Sequence, residues 1–202
     1  FSAADTYAHV TNTAMGRVVV TKVLVVDPRV AMSASDAHRC LAQVRPGSAI
    51  SPLAVQANGT IEAIGAILRG ATAPYRILHD HPLEDASGTN SADQTVPALT
   101  GRTFGIMAGE FREAGGLDES LVDDLELEAL SVRLRQVHAA FEFRVLISVV
   151  AWQLEPARAF ERVDTRRNGR QFADIVQQSS SLNPAQVEID AIFTRFGFEV
   201  AA

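Results

Sequence analysis

Between Arg17 and Val26, six of ten residues are valine. Branched side chains at that density crowd a helix but suit a pleated strand, here one packed on both faces. Asp27-Pro28 ends the run. Ser33 or Ser35 then offers a cap for a helix in which Ala37, Cys40, Leu41 and Val44 follow the i, i+3, i+4, i+7 spacing of one face. Pro46-Gly47 stops that helix, and Ala49 to Val55 returns to a strand pattern. Strand, turn, amphipathic helix and strand in succession predict an α/β domain, a sheet with helices packed on it.

Further along, Asn58-Gly59 followed by Thr60, Ile61 and Ile64 predicts a tight hairpin of the type I′ kind. Asn58-Gly59-Thr60 is also a glycosylation sequon, but with no secretory signal the turn reading is preferred. Gly70 to Ala98 is rich in Pro, Gly, Ser, Asn and Asp without periodicity and reads as a long loop. Thr103 to Met107 is a strand leading towards Gly115-Gly116. Leu127, Leu130, Leu134 and Val137 mark one face of a helix from about Asp123 to His138. Phe141 to Trp152 alternates as a strand, and Pro156 opens a helix through Phe160 and Val163. Asn183-Pro184 caps a last helix whose Ile189, Ile192, Phe193 and Phe196 share a face and which Gly197 closes. The expected organisation is a core over residues 1–156 and a helical extension over 157–202.

The 202 residues, 47% hydrophobic and 21% charged, have the balance of a folded domain with a sizeable core. A net charge of -6 argues against a binder of duplex nucleic acid, which needs clustered Lys and Arg to displace counterions. Cys40 is the only cysteine, so no intrachain disulfide forms. No apolar run approaches the roughly 20 residues of a membrane helix. An intracellular, reducing compartment is expected, cytoplasm or organelle matrix. The chain begins at Phe1, as a processed product or a fragment would.

Several consecutive stretches resemble family 2 glycosyltransferases of the GT-A fold, rhamnosyl-type members in particular. Val23-Leu24-Val25-Val26-Asp27 is similar to the strand that delivers that family's Asp-x-Asp motif, and Ile50-Ser51-Pro52-Leu53 with Asn58 to Gly65 is similar to a strand and hairpin that follow it. Phe111-Arg112-Glu113-Ala114-Gly115-Gly116-Leu117-Asp118-Glu119 resembles the family's F-x-x-x-G-G-[FL]-D-E, and Asp123-Asp124-Leu125-Glu126-Leu127 its E-D-x-[DE]-L segment. Phe143-Arg144-Val145-Leu146 is similar to the strand that comes next. The resemblance spans Thr11 to Pro156. It implies a GT-A-like mixed sheet flanked by helices, without the N-terminal unit that grips the nucleotide.

The resemblance also implies a chemistry: inverting transfer of a sugar from a nucleotide sugar to an acceptor hydroxyl. Asp124, with Asp123 beside it, takes the place of the catalytic base. Asp27, Arg29, Gly115 and Gly116 lie where the family binds its nucleotide sugar, and Asp27 is the candidate ligand for Mg²⁺ or Mn²⁺. The second Asp of Asp-x-Asp is Arg29 here, which puts metal dependence in question. Two registers of the acidic segment are open: aligning Leu130 to Arg135 with the family's L-x-x-R-L-R places Leu127 at the base position. Asp123 and Asp124 as helix-start charges, Asp27 as strand punctuation and Gly115-Gly116 as a plain turn are the alternatives. His79 and His81 read as loop residues, Cys40 as a packed thiol and Trp152 as a core residue with an acceptor platform as its alternative. The competing function is a glycosyltransferase-like subunit that has lost catalysis and serves as an interaction module. The valine strand is expected near a sheet edge, covered by another chain, by the 70–98 loop or by a preceding segment.

Overall fold

The computed structural model describes residues 6–68, 74–87, 93–121, 125–154, 162–177 and 186–195. In it the valine-rich segment is divided. Helix α1 (Tyr7–Arg17) starts at Thr6, whose hydroxyl accepts the His9 N–H at 3.2 Å, and it consumes Arg17. Strand β1 (Lys22–Val26) begins only after an exposed linker in which Val19 is 98% exposed. Within β1, Val23 is buried while Lys22 and Val26 are exposed, so the expected burial on both faces is not found. The reason is position: among the described residues β1 is the last strand on its side of the sheet.

The chain continues through β2 (Val30–Ala31), α2 (Ala34–Gln43), β3 (Ser48–Val55), β4 (Ile61–Ala63), β5 (Ala66–Ile67), β6 (Tyr75–Arg76), α3 (Leu83–Ser87), β7 (Gln94–Val96) and β8 (Thr103–Met107). It ends with α4 (Ala108–Glu113), α5 (Glu126–Val137), β9 (Glu142–Gln153), α6 (Arg162–Gln177) and α7 (Gln186–Arg195). Ser33 caps α2 as expected, accepting the Asp36 N–H at 3.0 Å. The hairpin at Asn58-Gly59 is present, but only Gly59 takes a positive φ (89°). The Gln56 carbonyl accepts the Gly59 N–H and the Thr60 carbonyl accepts the Gln56 N–H, which makes a three-residue loop rather than a type I′ turn.

Among the described residues a seven-stranded mixed sheet runs in the order β1-β8-β3-β9-β2, with β4 paired to β3 and β7 to β9. β3 and β9 are parallel, and β8 is antiparallel to both β1 and β3, so β1, β3 and β9 point the same way. Residues 70–98 are not one loop: β6, α3 and β7 interrupt them, and β7 joins β9, far from the β1 edge. The described part of this stretch therefore does not cover that edge. Its polar composition hid short strands that the sheet, not local preference, holds in place.

The main core lies on one face of the sheet, where Phe104 and Phe111 stack at 6.0 Å and pack with Leu53, Phe143, Leu127, Leu130 and Leu134. On the other face Cys40 and Val44 of α2 and its cap meet Ile50, Leu146 and Val149. α5 is buried on more than the face its leucines predict, because Phe172 and Val176 of α6 cover Ala129 and Val132. Ile192 of α7 reaches the main core. The predicted helix opening at Pro156 and the cap at Asn183-Pro184 lie outside the described residues.

Candidate functional site

Because β1, β3 and β9 are parallel to one another, their carboxyl ends fall on one side of the domain, with the start of β8 between them: Val26 is paired with Thr103. β1 and β2 occupy opposite edges of the sheet, and only Asp27, Pro28 and Arg29 separate them. These three residues form a tight turn, in which the Val30 N–H donates to the Asp27 carbonyl at 2.9 Å, and the chain then enters β2, where Val30 pairs with Gln153. Beside this turn is a narrow cleft, partly open to solvent, lined by Val30, Pro52, Ala54, Thr100, Arg102, Thr103, Ala151 and Gln153. Open α/β sheets take their ligands outside the carboxyl ends of the strands.

A buried ion cluster pins the turn. Arg29 donates its backbone N–H and Nε to Asp27 Oδ1 at 2.8 and 2.9 Å, and its Nη2 to Oδ2 at 2.8 Å. Arg102 Nη1 donates to the same Oδ2 at 3.3 Å. Burial pushes the Asp27 carboxyl upwards, but the bonds and charge of Arg29, with the charge of Arg102, outweigh it and hold the group below the ordinary carboxylate range. Tyr7 of α1 donates its hydroxyl to the Arg102 carbonyl at 3.0 Å, and the Arg102 guanidinium sits 5.8 Å from the Tyr7 ring centre. Burial first, then the charges of Asp27 and Glu126, raise the Tyr7 phenol well above its usual value, so it stays protonated.

This arrangement does not fit a divalent cation on Asp27. A carboxylate offers about four lone-pair sites, and four N–H donors already take them. Among the described residues no group of three His, Cys, Asp or Glu side chains is placed to hold a metal.

Asp123 and Asp124 lie outside the described residues, but the helix they precede is described. Leu125, immediately before α5, takes a left-handed φ of 72°, which a non-glycine residue adopts at a cost of about 1–2 kcal/mol. The first turn of α5 then buries two carboxylates that the sequence reading left in the background, Glu126 and Glu128. Thr100, on the wall of the cleft, donates its hydroxyl to Glu128 Oε1 at 2.6 Å. Arg76 lies 3.9 Å from the same oxygen and pairs with Glu62 at 3.1 Å. Nothing in the local pattern announces Arg76, Arg102 or Thr100 as partners, since each comes from a distant part of the chain.

Gly115 and Gly116 are placed differently. Both have positive φ, 80° and 72°, and their N–H groups go to the Arg112 and Phe111 carbonyls, closing α4. Asn12 of α1 holds the loop by bonding both the N–H and the carbonyl of Leu117 at 2.8 Å, and a Cβ on Gly116 would lie 2.5 Å from Asn12 Oδ1. The pair thus sits against the middle of α1, while Asp27 meets its first residue. His79 bonds the Glu62 carbonyl and His81 the Asp85 carboxylate. Burial, with the Asp36 charge, raises the Cys40 thiol to about 11, consistent with a packed group. Trp152 is 41% exposed, not a core residue: between buried Ala151 and Gln153 it lies on the opposite, uncovered face of β9.

No family model matches this chain, and no curated protein sequence matches it either. A likeness emerges at the level of structure. The chain resembles a crystal structure of GalNAc-T7 holding UDP, GalNAc and Mn²⁺, with a TM-score of 0.54 and 13% identity. The match covers 96% of this chain and 42% of that one, so the chain spans less than half the length of the protein it matches. The match is to a GalNAc-T rather than to a rhamnosyl-type enzyme. No helix among the described residues is long and apolar enough to cross a membrane. What the likeness establishes is the fold: a mixed sheet flanked by helices, of the kind found in GT-A glycosyltransferases.

Proposed function

We propose that this chain is the acceptor-side part of a glycosyltransferase, moving a sugar from a nucleotide sugar to an acceptor hydroxyl with inversion. The observation that carries the reading is the convergence, on a GT-A-like fold, of Asp27, Arg29, Arg102 and the start of α5 at the carboxyl ends of the parallel strands. Asp124, just ahead of α5, is the proposed base. It takes the proton of the acceptor hydroxyl as that oxygen bonds to the anomeric carbon, and the bond from that carbon to the diphosphate breaks with its electron pair leaving on the phosphate oxygen. Asp123 supports the charge at the same helix start, and Gly115-Gly116 set the path of the chain towards it. The half-exposed Trp152 supports an acceptor sugar stacking near the end of β9.

The test is a transfer assay with UDP-, GDP- and dTDP-sugars. Asp124→Asn is expected to retain the melting temperature and lower turnover at least a hundredfold, because an amide cannot accept the proton. Unchanged turnover in Asp124→Asn would remove it from the mechanism.

The complete pairing of Asp27 with arginine favours a second reading, a glycosyltransferase-like subunit without catalysis that works as an interaction module. Its edge strand β1, with Val26 exposed and with Val19 and Val20 exposed in the linker before it, would then be the contact. Absence of turnover together with a stable co-purifying protein partner would decide for it.

A further inference from the structure

We infer that the Asp27 corner is a metal-free anion site: a nucleotide diphosphate is met there by the Arg29 guanidinium, with Arg102 behind it, and no divalent cation bridges it to Asp27. The inference rests on the nucleotide-sugar reading above and specifies how that ligand is held.

The geometry of one carboxylate carries the first half. Mg²⁺ needs a carboxylate oxygen at about 2.0–2.1 Å with its lone pair free to point at the ion. Both Asp27 oxygens instead receive two N–H donors each, from Arg29 N and Nε on Oδ1 and from Arg29 Nη2 and Arg102 Nη1 on Oδ2. A guanidinium cannot yield by losing its proton. A cation entering here would have to break a bidentate pair whose carboxylate is 2% exposed and then sit beside two fixed positive charges. Asp27 is therefore a positioning residue that sets the arginine fork.

Exposure carries the second half. Within the cluster the Asp27 side chain is 2% exposed and Arg102 10%, whereas Arg29 is 30% exposed and is the member a ligand reaches first. Arg29 lies in the turn between β1 and β2, beside the cleft, and a planar guanidinium suits phosphate oxygens in a way a point charge does not. The adjoining cleft adds a second polar group. Thr103 Oγ1 is buried, has no hydrogen-bond partner among the described residues, and lines the cleft together with Arg102. A buried hydroxyl left in this way is a donor and acceptor awaiting a ligand oxygen.

The experiment is calorimetric titration of the chain with UDP and with GDP, each in chelator and in excess Mn²⁺, with Mn²⁺ binding to the protein followed separately by its paramagnetic resonance. The expected result is a dissociation constant that agrees within about twofold with and without Mn²⁺ for the nucleotide that binds, and a loss of at least tenfold in Arg29→Met. Asp27→Asn, which keeps the shape of the corner, is expected to leave Mn²⁺ binding to the protein unchanged. Thermal melts show whether each variant is folded, and the wild-type comparison decides the question if a variant is not. Nucleotide binding that requires Mn²⁺ would overturn the inference and leave the nucleotide-sugar reading standing. No nucleotide binding in either condition would overturn that reading, and the inference with it.

Discussion

At the scale of single residues, Asp27 shows how a motif position can keep its place and change its work. Its position at the end of a strand was legible, because Val23 to Val26 and the following proline punctuate the chain plainly. Its principal partners were only half legible: Arg29 is two residues away, but Arg102 is seventy-five residues distant and is brought in by the pairing of β8 with β1. Removing the carboxylate leaves two guanidinium groups facing each other, so Asp27→Ala should cost about 3–5 kcal/mol in urea unfolding. The pH dependence has a definite sign. A carboxyl held below its unfolded value of about 3.9 contributes stability that is complete above that value and is lost as pH falls through the depressed folded one. Unfolding at pH 7 and pH 3 should therefore show a steeper acid loss in the wild type than in Asp27→Asn. Gly116 makes a different point, since Gly-Gly by itself reads more readily as a tight turn than as a ligand loop. The turn explains its geometry, and Gly116→Ala, strained at φ 72° and pressed against Asn12, should lower stability by roughly 1–2 kcal/mol or more, measured as a drop in melting temperature.

At the scale of elements, periodicity identified α2, β3, β8, α5 and β9 with small shifts at their ends. It failed where tertiary partners decide the outcome. The valines from Val18 to Val20 carry strand preference, yet among the described residues no strand lies beyond β1 to pair with or cover them. β6 and β7 are two and three residues long, and their pairing partners lie elsewhere in the chain. The leucines of α5 mark one buried face, but its other side is closed by α6, whose contact residues lie beyond the helix that Pro156 to Val163 predicts. Phe172 is the anchor of that contact, 1% exposed among Ala129 and Val132. Phe172→Ala should cost about 3–5 kcal/mol, with hydrogen exchange accelerating in α6 more than in β3 or β9.

At the scale of the molecule, the direction of three strands explains why a site exists where it does. Parallel β1, β3 and β9 finish together, the turn from Asp27 to Arg29 follows the end of β1, and α5 begins beside Thr100 on the cleft wall. The order of elements in the sequence was enough to suggest a GT-A-like sheet. It did not reveal that the turn after β1 delivers Val30 to Gln153 at the end of β9, because that partner is remote in sequence. The central claim is that a nucleotide binds at this strand-end crevice. It is tested most directly by titrating isotope-labelled protein with UDP and following backbone amide shifts. The account predicts saturable shifts concentrated at Arg29, Val30, Arg102, Thr103 and the first turn of α5. Saturable shifts confined to α2 or to the linker around Val19, or no shifts at millimolar UDP, would contradict it.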